Sequence, residues 1–575
     1  MKVTLTTLNA KFIHSSLALR YLREACREKG IQAEVREYTI NLHEYDILSD
    51  LYEQKSDIVG FACYIWNIEE TLHVAELLHQ VAPETILVLG GPEVSYTAKE
   101  ILKEYPYIRY VVQGEGEESF VELIQTLKEG RIPEHIPGVL GWHDGRLIGN
   151  ETVCEVKDLS RIPFPYRSEG VPKLDNKIMY YESSRGCPFQ CQYCLSGNRN
   201  TVRFFPADRV ISELKEFVAA GVKQIKFVDR TFNCNPAHHR RLLEYMRTVT
   251  EPINFHLEIA ADLLKEEDIQ LLKAMPKGRV QLEIGIQSSH EETLKAIRRH
   301  NEWSVITRAV AALREAGNIH LHLDLIVGLP YEGARELQKS FHDIYVMKPH
   351  ALQIGFLKLL KGSGIQLHQS AGYKYDKKAP YEVLETPWLS YETVRFWKVL
   401  EDVFERVHNS GKFVRYIEAL EPMYADNYFV LYEKMTRYWQ QQGLHQISVG
   451  DQRLIEFLQG FAGTYHEDKA ELLLDMLRLD VLSFFGFKVK PAVLAIEEAP
   501  RSATDIFYRD EARVRRYIPD YVFTDWKKVK GEIQIVRISA DTVRQLWKKE
   551  CSEPAYALGH KGEDGSVTWY LWEEL

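Results

Sequence analysis

Cys187, Cys191 and Cys194 fall within eight residues of a 575-residue chain that holds eight cysteines in all. They lie in "SSRGCPFQCQYCLSGNR", Ser183 to Arg199, with the spacing C-x3-C-x2-C. Zinc sites usually pair C-x2-C units and close a tetrahedron with four ligands, and a thioredoxin-type redox pair needs only two thiols. Here three thiols stand together with no fourth ligand beside them. Cys154 upstream and Cys234 downstream are further thiols that could join them. A tight loop with Gly186 and Pro188 can wrap several thiolates around one compact iron–sulfur cluster. A [4Fe–4S] cluster normally takes four cysteines. Held by three, it leaves one iron open to a substrate or cofactor, as an open position separates catalytic from structural zinc. A zinc or redox site is the competing reading.

The loop needs a scaffold, and strand–helix alternation supplies one. "KIMYYESS" is an apolar strand leading into the cysteines. After them come the strands "KQIKFVD", "INFHLEIAA", "RVQLEIGIQS", "IHLHLDLIVGLP" and "ALQIGFLKLL", separated by amphipathic helices such as "RVISELKEFVAAGV" and "WSVITRAVAALREAG". This predicts six β/α units over 176–370, a parallel partial (β/α)6 barrel smaller than the usual eight-unit one.

Residues 1–130 alternate in the same way. "KVTLTTL", "QAEVREY", "DIVGFACYIW", "TILVLGG" and "YVVQGEGEESF" are the strands, with helices such as "SSLALRYLREACREKG" between them. Near-continuous apolar runs bounded by glycine predict a buried, doubly wound, Rossmann-like parallel sheet. Such sheets bind ligands beyond the carboxyl ends of their strands. Residues 131–175 read as a Pro-rich linker, with Pro133, Pro137, Pro163, Pro165 and Pro172 and a hairpin candidate turning at Asp144-Gly145. From 371 to 575 long aromatic-rich helices predict a mostly helical C-terminal domain with a mixed tail. The fold class is therefore α/β, and the length suits two to four domains.

Apolar residues make up 45% and charged residues 27%, which fits a soluble globular chain. The net charge of −10 argues against general nucleic-acid affinity. No apolar run approaches the roughly 20 residues that span a bilayer. The N-terminus enters a strand at once, without a signal peptide's apolar stretch. A reducing, cytoplasmic location is expected, where clustered cysteines favour metal or redox roles over disulfides.

A C-x3-C-x2-C loop with an aromatic, Tyr193, before its last cysteine, following the first strand of a β/α barrel, resembles the radical S-adenosylmethionine (SAM) superfamily. The resemblance implies that the open iron chelates the amino and carboxylate groups of SAM, and that an electron from the cluster releases a 5′-deoxyadenosyl radical. The cofactor then carries the difficult chemistry, and the protein supplies position and exclusion of water. The same frame implies an electron donor such as flavodoxin or ferredoxin. It makes Tyr193 a neighbour of the adenine. It makes Asp229, with Thr231 and Asn233, a set of acceptors for the SAM ammonium. Glu258 becomes a partner for ribose, Glu283 and Gln287 (with Ser288) further contacts, and Gly328 a place for the adenine edge. A helix cap or turn is the competing role for Asp229, and a paired buried carboxylate for Glu258. Lys358 and Lys361 read as a solvated surface pair.

The domain order resembles the radical-SAM branch with an N-terminal cobalamin-binding domain. That likeness places the cobalamin tail along Gly90 and Gly91 and along Gly114, Glu115 and Gly116. It sets Tyr64, Trp66 and Asn67 near the lower face of the corrin. Ordinary turns and packing are the competing roles. The Asp-x-His-x-x-Gly signature, whose histidine ligates cobalt in other cobalamin domains, is missing, and His14 reads as a packed or turn histidine. The resemblance covers residues 1–370. It implies a cobalamin-binding radical SAM enzyme, a methyltransferase acting on an unactivated carbon of a small-molecule or peptide substrate. A radical SAM enzyme for ring formation or rearrangement without cobalamin as methyl carrier, and a cofactor-binding sensor, are the alternatives. Methylthiolation of transfer RNA is disfavoured, because only Cys26 and Cys63 precede residue 130.

Overall fold

A computed structural model describes residues 1–171, 177–198, 201–368, 370–489 and 491–573. Pro172 of the linker, the junction at 175–176 and Arg199 lie outside the described residues. The chain divides into two compact units, Met1–Val394 and Arg395–Leu575.

The first sheet is built from β1 (Val3–Asn9), α1 (Leu17–Glu28), β2 (Ala33–Thr39), α2 (Glu44–Glu53), β3 (Ile58–Ala62), α3 (Ile68–Val81), β4 (Ile86–Gly90), α4 (Pro92–Ser95), α5 (Ala98–Glu104), β5 (Tyr110–Val112) and α6 (Gly116–Lys128). Its strands run in the order β2-β1-β3-β4-β5, all parallel. One apolar cluster seats α1 and α6 on one face, and another seats α2, α3 and α5 on the opposite face. This is the doubly wound arrangement expected. Every residue of β1 and β3 is buried, as strands covered on both faces must be. Edge strand β2, "AEVREYT", is half-buried and carries Glu34, Arg36 and Glu37, charges that blunt a free edge. The sequence reading passes over α2, whose stripe is only Ile47 and Leu51. The Asp144-Gly145 turn does join a hairpin, β6 (Val139–His143) and β7 (Arg146–Gly149). That hairpin pairs antiparallel onto β5, so this part of the linker extends the first sheet.

The second sheet has six parallel strands in the order β15-β14-β13-β12-β11-β8. They are β8 (Met179–Tyr181), β11 (Gln224–Phe227), β12 (Asn254–Ile259), β13 (Val280–Gln287), β14 (His320–Val327) and β15 (Ala351–Phe356). Between β8 and β11 a two-residue ladder, β9 (Ser184–Arg185) against β10 (Arg203–Phe204), closes the neck of the cysteine loop. Helices α7 (Ala207–Ala219), α8 (Pro236–Thr248), α9 (Glu266–Lys273), α10 (Glu291–Ala296), α11 (Trp303–Ala316) and α12 (Ala334–Tyr345) connect the strands. Burial alternates along β13 and β14. The apolar set, such as Leu282 and Leu323, is fully buried, while the alternate set is polar and faces the barrel lumen. The sheet stays open, with β8 and β15 as its two edges.

The second unit holds the helices Val414–Leu420, Tyr428–Gln441, Asp451–Tyr465 and Ala470–Phe485, followed by a three-stranded antiparallel sheet, Ile533–Ile538, Ala555–Lys561 and Val567–Trp572. The middle strand escapes sequence reading because Gly559 breaks its apolar run. The Trp569 ring of the neighbouring strand fills the space that glycine leaves. Asp475, buried in Ala470–Phe485, accepts from Ser539 N (2.6 Å) and Thr542 Oγ1 (2.8 Å) and fixes the start of helix Ala540–Trp547. No helix among the described residues is long and apolar enough to cross a membrane.

One buried ion pair ties α1 to β2 and to the connection. Arg20 reaches Glu37 at 2.8 Å and Glu169 at 3.2 Å. Arg20→Met leaves buried Glu37 with only the more distant Lys177 (4.0 Å) as a cation, a loss of about 3 kcal/mol. A matching fall in the urea midpoint of the variant checks this, and an unchanged midpoint refutes it.

Candidate functional site

The cysteine loop is anchored before it begins. Buried Asp229, after β11, accepts from Ser183 N (2.8 Å), Ser183 Oγ (2.7 Å) and Ser184 Oγ (2.6 Å). His238 Nε2 stands 3.1 Å from the same Ser183 hydroxyl. Burial pushes the Asp229 carboxyl up to about 6, against these hydrogen bonds. Asp229 thus fixes the segment two residues before Gly186. Asn233 is likewise occupied, exchanging hydrogen bonds with Ala260 N (3.0 Å) and O (2.8 Å). Thr231 Oγ1 lies 3.6 Å from Cys187 Sγ. Two residues expected as SAM acceptors therefore spend most of their hydrogen bonds on the protein.

All eight cysteines are free thiols, and Cys191 is buried. The charges of Cys191 and Cys194 both act on Cys187, so the three form one electrostatic group. Cys234, in the turn after β11, also senses Cys187. Cys154 instead bridges to Gly114 in the first sheet. Among the described residues no three His, Cys, Asp or Glu side chains are gathered tightly enough to ligate a single metal ion. A four-iron cluster sets its ligands further apart than one ion does.

Arg299 is the cation of this site. Its Nη1 lies 3.8 Å from Cys191 Sγ and donates to Tyr193 OH (3.1 Å), its Nη2 donates to Gly285 O, and its Nε donates to Asn301 Oδ1 (3.1 Å). One guanidinium thus joins the loop, the aromatic before its last cysteine and the fourth barrel strand. Its positive charge suits a cluster carried on thiolates. Tyr193 packs beside Leu329, Leu357 and Val383 at the barrel rim. Gly328, with φ +98°, lies against Val383 and Leu357, a tight fit that would exclude a side chain.

The lumen is layered in charge. Glu283 accepts from His256 Nε2 (2.8 Å) and Lys226 Nζ (3.2 Å). Burial works against its charge, but these two partners bring it down to about 2. Glu258 stands opposite Glu283 across the strands. Burial and then the Glu283 charge raise Glu258 above the usual carboxylate range. Asp324, on β14, faces Gly285 and is raised further by burial and by both glutamates. Its Oδ1 has no hydrogen-bond partner among the described residues, and His322 Nε2 lies 3.7 Å away. Gln287 sits at a bulge with φ +73°, is 8% exposed, and leaves its buried Oε1 without a partner. The unpartnered Gln287 Oε1 and Asp324 Oδ1 fit a ligand bearing N–H and O–H groups, and a cationic ligand would favour the charged forms of Glu258 and Asp324, as SAM would.

Behind Gln287 the strand-end loops are locked by a buried acid. Glu332 Oε1 accepts from Ser288 Oγ (2.5 Å) and Ser340 Oγ (2.7 Å). Burial, reinforced by Glu336, raises Glu332 to about 7.

In the first sheet the order reverses between β1 and β3, the switch point where such folds bind ligands. Asn67 is saturated there. It accepts from Tyr64 N (2.8 Å) and donates to Thr7 Oγ1 (3.1 Å), Leu8 O (3.0 Å) and Ala62 O (3.2 Å). Tyr64 and Trp66 stack with ring centroids 4.5 Å apart. Large apolar groups stand exposed beyond successive strand ends: Phe12 (71%), Trp66 (44%) and Tyr96 (39%). A flat macrocycle such as a corrin would cover them. Gly91 (φ +109°) and Gly114 (φ +83°) permit close backbone approach by Cys63 and Cys154. Gly90 ends β4 beside Val112, and Gly116 opens α6 against Leu22. His14 is a packed histidine, with Nδ1 2.7 Å from Tyr180 OH.

The carboxyl ends of the first sheet meet both edges of the open barrel. Beyond β1, Ile13 O accepts from Ile178 N (2.8 Å), just before β8. Beyond β4, Glu93 accepts from Tyr381 OH and lies 3.5 Å from Lys361 Nζ, while Tyr96 packs on Gly362 after β15. Lys361 is therefore paired rather than solvated. Beyond β5, Glu115 accepts from Arg203 Nη2 (2.5 Å) and Arg185 Nη1 (3.3 Å) at the neck of the cysteine loop. Arg230, exposed after β11, acts electrostatically on both Tyr64 and Glu258. The sequence reading missed Arg299, Asp324 and Arg185. Asp324 lies in the alternation "HLHLDLIV", which marks a lumen-facing polar residue. For Arg299 there is no local signal.

The B12 binding domain family matches residues 3–124 and the radical SAM superfamily matches 181–344. A family described as protein of unknown function (DUF4080) matches 369–556. The chain is 26% identical to the cobalamin-dependent radical SAM methyltransferase TokK of Streptomyces tokunonensis, over 50% of this chain and 44% of that protein. It is 24% identical to the 2-(S-pantetheinyl)-carbapenam-3-carboxylate methyltransferase of Streptantibioticus cattleyicolor, over 67% of this chain and 61% of that one. It thus spans less than two thirds of either relative. In fold it is similar to OxsB, a cobalamin-dependent S-adenosylmethionine radical enzyme whose structure holds aqua-cobalamin, with a TM-score of 0.59 at 15% identity over 84% of this chain and 80% of that one.

Two outcomes follow from the anchoring groups. Asp229→Asn keeps one acceptor oxygen for three donors, so anaerobic reconstitution should load less iron and sulfide per chain; full loading counts against the anchor. Glu332, raised to about 7 from an ordinary 4.5, holds a proton in the fold that the unfolded chain releases. Its contribution is present below about 4.5 and is lost as pH rises through 7. Glu332→Gln should flatten the fall in urea midpoint between pH 5 and 7.5, and an unaltered slope refutes it.

Proposed function

We propose that this chain, a member of the radical SAM superfamily with an N-terminal B12-binding domain, is a cobalamin-dependent methyltransferase. Its target is an unactivated carbon of a small-molecule or peptide substrate. The observation that carries this reading is the meeting of strand ends across the open seam. It brings the strand ends of the first sheet, with their exposed aromatic side chains, against both edges of the barrel that carries the cysteine loop.

In this reading residues 1–130, extended by the hairpin, bind the corrin, and 176–370 bind the cluster and SAM. Cys187, Cys191 and Cys194 would hold the [4Fe–4S] cluster. Tyr193, Glu258, Glu283, Gln287 and Gly328 would border SAM, with Asp324 beside them. Tyr64 and Trp66 would lie against the corrin, while the space beside Gly90, Gly91, Gly114 and Gly116 is taken by Val112, Cys63, Cys154 and Leu22, so these glycines serve the packing of the strand-end turns. When bound, the cluster supplies the electron that cleaves SAM to a 5′-deoxyadenosyl radical, and the corrin supplies a methyl carrier.

The chain's own residues position and shield. Asp229 and the two serines hold the loop, and Arg299 keeps a positive charge beside Cys191. Glu283, neutralised by His256 and Lys226, leaves Glu258 and Asp324 as the acceptors for a cationic ligand. Asn67 fixes the β1 and β3 ends so that Tyr64 and Trp66 present their ring faces. An electron donor of the flavodoxin or ferredoxin type, in a reducing cytoplasm, would complete the system.

One anaerobic assay tests the reading by following 5′-deoxyadenosine, S-adenosylhomocysteine and bound corrin together. The wild type should form 5′-deoxyadenosine from SAM under reduction and copurify with, or take up, cobalamin. Cys191→Ala should lose 5′-deoxyadenosine formation and keep the corrin. Undiminished 5′-deoxyadenosine from the variant would overturn the cluster assignment, and failure to take up corrin would overturn the methyltransferase reading.

A further inference from the structure

We infer that Glu115 makes corrin binding and cluster retention interdependent, an inference that rests on the reading of the first domain as a corrin site. Glu115 sits between Gly114 and Gly116 in the turn beyond β5, on the strand-end edge of the first sheet. Its carboxylate is filled by four donors. Oε2 accepts from Val156 N (2.8 Å), Arg203 Nη1 (3.0 Å) and Arg185 Nη1 (3.3 Å), and Oε1 accepts from Arg203 Nη2 (2.5 Å). Glu115 is therefore a positioning residue rather than a corrin ligand.

The two arginines matter because of where they stand. Arg185 and Arg203 are direct partners across the β9–β10 ladder. That ladder is two residues long and closes the neck of the loop carrying all three cysteines. Like charges directly opposite each other on paired strands are destabilising, and the Arg185 charge does act against that of Arg203. Glu117 (2.6 Å) and Glu182 (2.9 Å) bond only to Arg185. Glu115 alone among these acids bonds both arginines, and it comes from the other domain. The network is largely shielded, with side chains 10% exposed for Arg185, 16% for Arg203 and 19% for Glu115. Its attraction is consequently less screened than that of a surface pair. Burial opposes the Glu115 charge, yet Arg203 and Arg185 hold its carboxyl below the usual range.

Glu115 thus favours closure of the neck, alongside the Asp229 hydrogen bonds to Ser183 and Ser184 and the Arg203 bond to Val156 O. A corrin lying along the Gly114–Gly116 turn would hold that turn and so hold the neck. Linkage makes the effect reciprocal: a loaded cluster would favour corrin by the same factor.

The test uses the full-length protein reconstituted anaerobically with iron and sulfide. The rate at which the iron(II) chelator bathophenanthroline disulfonate strips the cluster is measured with and without saturating hydroxocobalamin. In the wild type hydroxocobalamin should slow iron release about 5-fold or more. Glu115→Gln should release iron faster, lose the slowing by hydroxocobalamin, and still bind that corrin by its absorption. Adding Arg203→Gln, which removes the opposed charge, should bring no further acceleration, as expected of coupled residues. Hydroxocobalamin that binds the wild type without slowing iron release overturns the inference, and this measurement needs no variant. Undiminished protection in Glu115→Gln overturns it too. Failure of the wild type to bind hydroxocobalamin overturns the corrin reading itself, and the linkage with it.

Discussion

Parallel β/α barrels close with eight strands, and this sheet has six. Strands β8 and β15 are left as edges whose backbone groups and flanking loops need cover from elsewhere. The cover is the carboxyl-end edge of another sheet. Ile13 and His14 meet the strand at one edge, Glu93 and Tyr96 meet the loops beyond the other, and Glu115 grips the neck of the cysteine loop. The geometry that covers the barrel's edges is therefore the geometry that brings the carboxyl ends of the first sheet against the barrel.

Within the barrel, strand alternation divides labour. Apolar residues pack outward beneath the helices and set the fold. The intervening polar residues line the lumen and are not all equal. Glu283 is satisfied by His256 and Lys226, whereas Glu258 is crowded by Glu283 and Asp324 leaves its Oδ1 without a partner among the described residues. A satisfied acid steadies the lumen, and an unsatisfied one waits for a ligand. The same division runs through the strand ends. Asp229, Asn67 and Glu115 have the residue types of ligand contacts, but their hydrogen bonds are spent on holding backbone and neighbours.

That division marks how far the sequence could be read. The doubly wound sheet, the six-stranded barrel and the cysteine spacing were all legible, because periodicity and local spacing encode them. The hairpin at Asp144-Gly145 was legible as a turn, but its pairing with β5 was not, since strand pairing is a long-range fact. α2 was missed for lack of a wide apolar stripe, and Ala555–Lys561 because a glycine interrupts it. Among site residues, the cysteines announce themselves by spacing. Arg299 does not, because its meaning arises only when the turn after α10 brings it to Cys191, 108 residues upstream. Asp229 could be named as important, but not whether it would face a ligand or a serine hydroxyl.

The cover over the seam also bears on how such a chain can be cut and recombined. Many multidomain proteins are chains of separable modules, each with its own core and a tolerant joint between them. Here the joint carries chemistry. The acid that bonds two opposed arginines at the mouth of the cysteine loop is encoded 70 and 88 positions before them, on the far side of a domain boundary. A barrel inherited, transplanted or expressed without its first sheet would keep all three loop cysteines and lose the Glu115 counter-charge between the two arginines at the neck. The two domains are thus bound together as a unit of inheritance, and a fusion that respects the apparent boundary would still divide the site.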